Sequence, residues 1–242
     1  MCFQRSLYHD REKSQIMIGS FRVNCSIMNI RFLILVLFFI SSFLIPHSSL
    51  LFAQDRPDAL QEYRNGNYER AIEICKNEIA ENPGNIESHV VACWSLIKLE
   101  RYADAMTYAK AGRSISRYDV RIAEILGEIS YYQGQNSEAL QYFQEYINLA
   151  PDGARIETVY YFLGEIYIRL GRFRHADIAL STAVHWIPGN AEWWTRLAYA
   201  RENAGDLREA ISAYEKALSL DSQLSDARRG LERTRQLLAQ RN

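Results

Sequence analysis

Residues 120–153 read VRIAEILGEISYYQGQNSEALQYFQEYINLAPDG, and two apolar patterns of helical spacing lie in them on either side of one glycine. Before it, Ile122, Ile125, Leu126, Ile129 and Tyr132 recur at the interval of one helical face. After Gly134, Ala139, Leu140, Phe143, Tyr146, Ile147 and Ala150 repeat that interval. A glycine tolerates the left-handed backbone that ends a helix, and Pro151 stops the second helix because it has no N–H to donate. The segment is therefore an αα-hairpin.

Working outward, the same hairpin recurs. Ala71, Ala105, Ala139, Ala176 and Ala210 form one column, and Gly66, Glu100, Gly134, Gly171 and Gly205 form another, with successive spacings of 34, 34, 37 and 34 residues in both. Pro83, Pro151 and Pro188 keep the same count. Two columns that slip together at one place mark a three-residue insertion, assigned to residues 154–156, Ala154-Arg155-Ile156. A period of this length is the mark of a repeat architecture, in which each unit buries its apolar face only by stacking on its neighbours.

These residues resemble the tetratricopeptide repeat, whose pattern of aromatic, Leu-Gly, Tyr, Gly, Ala, aromatic, Ala and Pro is distinctive. Unit 120–153 carries Leu126-Gly127, Gly134, Ala139, Phe143 and Pro151. Unit 157–190 carries Tyr160, Leu163-Gly164, Tyr167, Gly171, Ala176, Ala183 and Pro188, and unit 191–224 carries Trp194, Leu197, Gly205, Ala210, Tyr214 and Ala217. Unit 86–119 departs further, with Cys93 and Glu100 at glycine columns, and 57–85 has a shortened first helix opening at Pro57. The expected fold is all-α, an α-solenoid of five helical hairpins closed by a capping helix over 225–242. Small columns should let the two helices of a hairpin approach, Gly127 against Ala139 and Gly164 against Ala176. Tyr146 stands where Ala183 and Ala217 keep the column small, so it and the insertion should alter the stacking of the two units they join.

The amino-terminal stretch reads as an address. Phe32–Ile45 (FLILVLFFISSFLI) is an uncharged run preceded by Arg31 and followed by a polar patch ending at Ala53, so 28–53 is expected to be an export signal, and residues 1–27 an untranslated or disordered leader. The rival is an uncleaved anchor extending to Phe52. Export points to the periplasm or cell envelope.

The motifs that would mark an enzyme or a metal site do not occur. His9, His47, His89, His175 and His185 have no metal-ligand spacing, and no HExxH, GxSxG, GxxxxGK[ST] or CxxC occurs. No catalytic role, cofactor or metal is expected, with His175 and His185 solvated on outer helices. Beyond residue 53 the chain has 23 basic residues against 27 acidic ones, which disfavours nucleic acid. Cys75 and Cys93 fall on helices that stack, so either a disulfide or two buried apolar thiols fits, the latter being more usual.

The resemblance implies that the first helices of the hairpins line a concave groove. Its face would hold Val90, Trp94, Ile97 and Lys98, then Arg121, Glu124, Glu128 and Tyr131, then Tyr161, Glu165 and Arg169, then Tyr199 and Glu202. Trp94, Tyr131, Tyr161 and Tyr199 would form an aromatic ladder interleaved with carboxylates, suited to a protein or peptide partner with basic residues. The terminal-carboxylate clamp known in the family is not expected, because its places hold Val90, Trp94, Glu124 and Glu128. A membrane-anchored envelope assembly subunit, or a solute or transport accessory module, are the other readings carried forward, with a closed pocket favouring the solute.

Overall fold

The computed structural model describes residues 58–241; the expected leader, signal and opening at Pro57 lie outside them. All regular structure among the described residues is helical. Five hairpins follow in order: α1 (Ala59–Arg64) with α2 (Tyr68–Glu81), α3 (Ile86–Lys98) with α4 (Tyr102–Ile115), α5 (Val120–Tyr132) with α6 (Asn136–Leu149), α7 (Ile156–Arg169) with α8 (Phe173–Trp186), and α9 (Ala191–Ala204) with α10 (Leu207–Leu220). The final helix, α11 (Ser225–Arg241), packs on α10 and α9. Odd-numbered helices stack on one another and form the inner layer, while each even-numbered helix also packs against the inner helix that follows it. No helix among the described residues is long and apolar enough to cross a membrane.

Side-chain size sets the spacing inside a hairpin. A Cβ added at Gly127 would meet the Phe143 ring at 2.6 Å, and one at Gly164 would meet Leu180 at 2.4 Å. The small residue thus receives a large one from the facing helix, rather than the small Ala139 or Ala176 expected to oppose it. The same device recurs where Gly230 of α11 receives the Tyr214 ring of α10. The turn column is explained by backbone conformation: Gly66, Gly134, Gly171 and Gly205 all have φ between 68° and 88°. Glu100 holds φ 58° in the same column, a strained place for a side chain.

The inner helices start on side-chain caps. Asp58, Asn85, Asp119 and Asn190 each accept backbone N–H bonds of α1, α3, α5 and α9 respectively. Helix α7 departs from this, because Arg155 of the insertion occupies its N-cap and makes no side-chain cap bond. Instead the Arg155 backbone N–H donates to the Tyr146 hydroxyl at 3.1 Å. Tyr146 is buried, and its hydroxyl fills the space that a Cβ on Gly153 would need. The bulky residue and the longer turn therefore compensate each other locally, and the turn delivers Arg155 toward the inner face.

Candidate partner-binding face

The inner face is built around arginine–carboxylate pairs that tie one inner helix to the next. Glu87 of α3 receives two bonds from Arg121 of α5, at 2.7 and 2.8 Å, and Asp119 shares the same guanidinium. Glu124 of α5 accepts from Nε and Nη2 of Arg155, at 3.0 and 2.8 Å. Glu165 of α7 takes both oxygens' worth of bonding from Arg196 of α9, at 2.6 and 2.9 Å. Glu202 of α9 does the same with Arg233 of α11, at 2.5 and 2.7 Å, and also accepts from the Tyr214 hydroxyl. The pairs at Glu87, Glu165 and Glu202 use both carboxylate oxygens and are strong and geometrically specific forks, whereas both Arg155 bonds land on Glu124 Oε1.

These pairs correct the expected electrostatics. Glu124, Glu165 and Glu202 are held by arginines of the chain itself, and Glu124 and Glu202 are buried, so they are not open carboxylates awaiting a basic partner. The three arginines each follow their glutamate by 31 residues, a spacing present in the sequence but visible only when charged columns are aligned as carefully as small ones. Arg169 likewise lies over the Tyr131 ring, 4.4 Å from its centroid, and donates to the Tyr131 carbonyl and to Asn136 Oδ1.

The expected ladder is also rearranged. Trp94, Tyr131, Tyr161 and Tyr199 are half-buried, and each pairs with a ring other than the next rung. Trp94 meets Tyr63 of α1 at 5.8 Å, Tyr131 meets Phe162 at 4.9 Å, Tyr161 stacks on Trp193 at 5.0 Å, and Tyr199 meets Phe173 edge-on at 6.4 Å. Val90 and Ile97 are buried in the core rather than presented on the groove, although Ile97 touches the floor of a pocket there.

That pocket gathers part of the expected set. It encloses about 260 Å³, opens to solvent along the groove, and is lined by Tyr63, Trp94, Ile97, Lys98, Glu128 and Arg155. Tyr63 and Arg155 were not among the expected groove residues: the first comes from the short opening helix and the second from the insertion. Glu128 lies 3.8 Å from Arg155, whose other bonds go to Glu124, so two carboxyls on successive turns of α5 share one guanidinium. Burial first, then the neighbouring Glu124 charge, pushes the Glu128 carboxyl up to about 7. Burial likewise raises Glu124, against the pull of Arg155.

Outside this face, His175 and His185 are exposed on α8, and among the described residues no cluster of metal-ligating side chains occurs. Cys75 and Cys93 are free, buried thiols rather than a disulfide; Cys93 donates to the Ala105 carbonyl, and burial pushes Cys75 up to about 12. Thiols so raised are poor nucleophiles.

With this geometry in view, family comparison is decisive. Profiles of the tetratricopeptide repeat match residues 125–153, 157–190 and 191–224. The chain is a tetratricopeptide-repeat protein. Its repeats are similar to part of the translocon at the outer membrane of chloroplasts 64 of Pisum sativum, 28% identical over 141 residues that cover 57% of this chain and 23% of that protein. They are also similar to the DnaJ homolog subfamily C member 7 homolog of Schizosaccharomyces pombe, 28% identical over 149 residues, 53% of this chain and 31% of that one. The chain thus spans about a quarter to a third of the length of these relatives.

Among solved structures, MamA superposes with a TM-score of 0.59 at 21% identity, covering 68% of this chain and 88% of that one. YrrB, described as a tetratricopeptide-repeat protein with an unusual peptide-binding site, gives 0.62 at 17% identity over 69% and 85% of the two chains. PilW, described as a type IV pilus biogenesis factor, gives 0.62 at 19% over 69% and 76%. At these identities the likeness shows the fold. Tetratricopeptide repeats are protein-interaction modules, generally without enzymatic activity, and this chain is such a scaffold by its repeats.

Proposed function

We propose that the chain holds an extended segment of a protein partner along the inner face, anchored at the pocket between Tyr63 and Arg155. The observation that carries this reading is the convergence of four elements on one opening of about 260 Å³, walled by two aromatic rings and floored by Ile97. Aromatic walls with polar rims suit a single side chain of a peptide, and the rest of the segment would follow the inner helices toward the stacked Tyr161 and Trp193. The opening is continuous with the groove, which favours a peptide over a solute enclosed on all sides. The apolar run at residues 32–45 supports placing this scaffold in the exported fraction, the periplasm or envelope, as a cleaved or an anchored protein.

The test is partner capture from an envelope fraction by the wild-type chain, Trp94→Ala and Tyr161→Ala, with Ile178→Ala on the exposed outer surface as control. Loss of about 2 kcal/mol or more is expected when an anchoring aromatic is truncated, a fall of at least tenfold in affinity. If both inner-face variants retain every partner while folding normally, the groove reading fails.

A further inference from the structure

The pocket at Tyr63 and Trp94 differs from the rest of the inner face in how its charges are matched. Elsewhere on this face Glu165 meets Arg196 and Glu202 meets Arg233, one carboxylate to one guanidinium. Here the Arg155 guanidinium gives Nε and Nη2 to Glu124 and stands 3.8 Å from Glu128, leaving Nη1 without a partner among the described residues. Lys98 is exposed at the rim with no carboxylate within ion-pair distance among the described residues. Among the described residues the Trp94 indole N–H and the Tyr63 hydroxyl make no side-chain hydrogen bond there either. The opening is therefore rich in donors, and its two carboxyls are tied to each other: both Arg155 bonds land on Glu124 Oε1, and a side-chain hydrogen bond joins Glu128 to Glu124.

A cationic guest would meet the two cations Lys98 and Arg155 beside a carboxyl pair already engaged with Arg155 and with each other. An anionic guest finds Lys98 and Arg155 among the lining residues and conflicts only with the carboxyl pair, a conflict that one proton eases. We propose that this pocket takes an Asp or Glu side chain from within the bound segment, held by Lys98 and Arg155 over the Trp94 ring, with one proton shared by Glu128 and Glu124 so that this carboxyl pair does not repel the guest. The proton comes from solvent: where the pair is fully ionised beforehand, one proton is taken up for each acidic side chain bound, and no covalent bond changes. This rests on the groove reading above and adds the chemistry of its partner.

Every charged or titratable group facing Glu128 bears on that proton. Tyr63 comes from α1, Lys98 from α3, Tyr102 from α4, Glu124 and Tyr132 from α5, and Arg155 from the insertion, with Glu157 beyond it acting on Arg155 and Glu124. The two cations pull the Glu128 carboxyl down, and burial with Glu124 outweighs them, so its midpoint at about 7 makes the proton available near neutral pH. Arg155 reaches this place because the inserted turn lets a residue ahead of α7 turn back onto α5. The site is thus distinct from a clamp for a chain terminus: it accepts a side chain, and its own carboxyl pair must carry a proton.

The experiment uses the full chain and short fluorescent peptides, each with one aromatic residue beside a single Asp, Asn or Lys, in amidated form so that no terminal carboxylate is present. Binding that requires the protonated pair weakens by about tenfold for the Asp peptide between about pH 6 and about pH 8, because the competent fraction falls from about 0.9 to about 0.1. Glu128→Gln, which donates to Glu124 at every pH, is expected to flatten that slope and keep the low-pH affinity at about pH 8. The Asn and Lys peptides should bind more weakly than the Asp peptide at about pH 6. A Lys peptide that binds tightest, or a pH slope that persists in Glu128→Gln, overturns the proposal. Trp94→Ala separates the two readings: if it leaves all peptide binding intact, or if no peptide binds the wild-type chain, the groove reading itself falls. If it abolishes binding while Glu128→Gln changes nothing, the groove stands and the acidic guest does not.

Discussion

Two junctions of the inner layer, α5 to α7 and α7 to α9, perform the same task with different materials. At the second, Glu165 and Arg196 lie on regular helix, 31 residues apart, and close into a one-to-one fork. At the first, the arginine comes from an inserted turn, its backbone N–H rests on the Tyr146 hydroxyl, and its guanidinium serves two carboxyls. The difference teaches that a repeat can absorb three extra residues without losing its stacking, provided a buried side chain holds the inserted turn in place. It also shows where spare chemistry arises. The regular junction consumes its charges, whereas the irregular one leaves a carboxyl incompletely matched at the wall of a pocket.

The largest expected effect comes from crowding the two glycines that let α5 and α7 approach their partners. Gly127→Leu should cost about 3 kcal/mol or more, since the Phe143 ring it strikes is itself stacked on Phe162 of α7, at 5.4 Å between centroids, and cannot retreat without disturbing the junction. Gly164→Leu strikes Leu180, an aliphatic side chain with other rotamers available, and about 1–3 kcal/mol is expected. Thermal and urea denaturation of both variants read the difference. Equal losses would mean that the stacked rings do not stiffen the first junction.

How much of this was legible beforehand follows from the same residues. The period, the hairpins and the capping helix were readable because they rest on local rules: apolar spacing, a glycine at positive φ, a proline past the helix end. Glu100 shows how far the column dominates, since it adopts φ 58° without being glycine. What was not readable was which partner each charged residue takes. Glu124, Glu165 and Glu202 looked like a free acidic stripe, because a sequence counts charges and does not show that the next inner helix, or the inserted turn, supplies an arginine to each. Tyr63 and Arg155 were missed for a related reason. Arg155 belongs to the insertion and has no column, whereas Tyr63 stands 34 residues before Ile97 in the same column and was passed over because the first unit departs from the pattern elsewhere.

A smaller effect, and a sharper test of the comparison, comes from removing each arginine. Arg155→Ala leaves Glu124, only 2% exposed, without its cation, and Arg196→Ala leaves Glu165, 12% exposed. Breaking a fully buried pair costs about 3–5 kcal/mol, but Arg155 is half-exposed, so about 1–3 kcal/mol is expected at about pH 8, with a smaller loss for Arg196→Ala. Glu128 and Glu124 both have carboxyls raised above their ordinary value in the fold, so the folded chain binds more protons than the unfolded one between the ordinary value and the raised one. Stability from this pair is full below about pH 4.5 and declines as pH rises through about 7. Arg155→Ala should steepen that decline, and Glu128→Gln should remove the part near neutrality. Denaturation midpoints across that range measure it, and a decline unchanged in both variants would uncouple the cluster from stability.

The smallest change isolates the hydrogen bond that holds the inserted turn. Tyr146→Phe keeps the ring that fills the space beside Gly153 and deletes only the oxygen that accepts the Arg155 backbone N–H. One hydrogen bond of this kind contributes about 0.5–1.5 kcal/mol, so a modest fall in stability is expected. The consequence for the junction is more informative than the fall itself. If the hydroxyl sets the course of the inserted turn, losing it loosens the approach of Arg155 to Glu124, and amide exchange at the start of α7 should quicken while that at the start of α9, capped by Asn190, stays unchanged. Exchange that quickens equally at both starts would show that Tyr146 acts on the whole array through packing. Exchange that quickens at neither would assign the course of the turn to the Arg155–Glu124 pair alone.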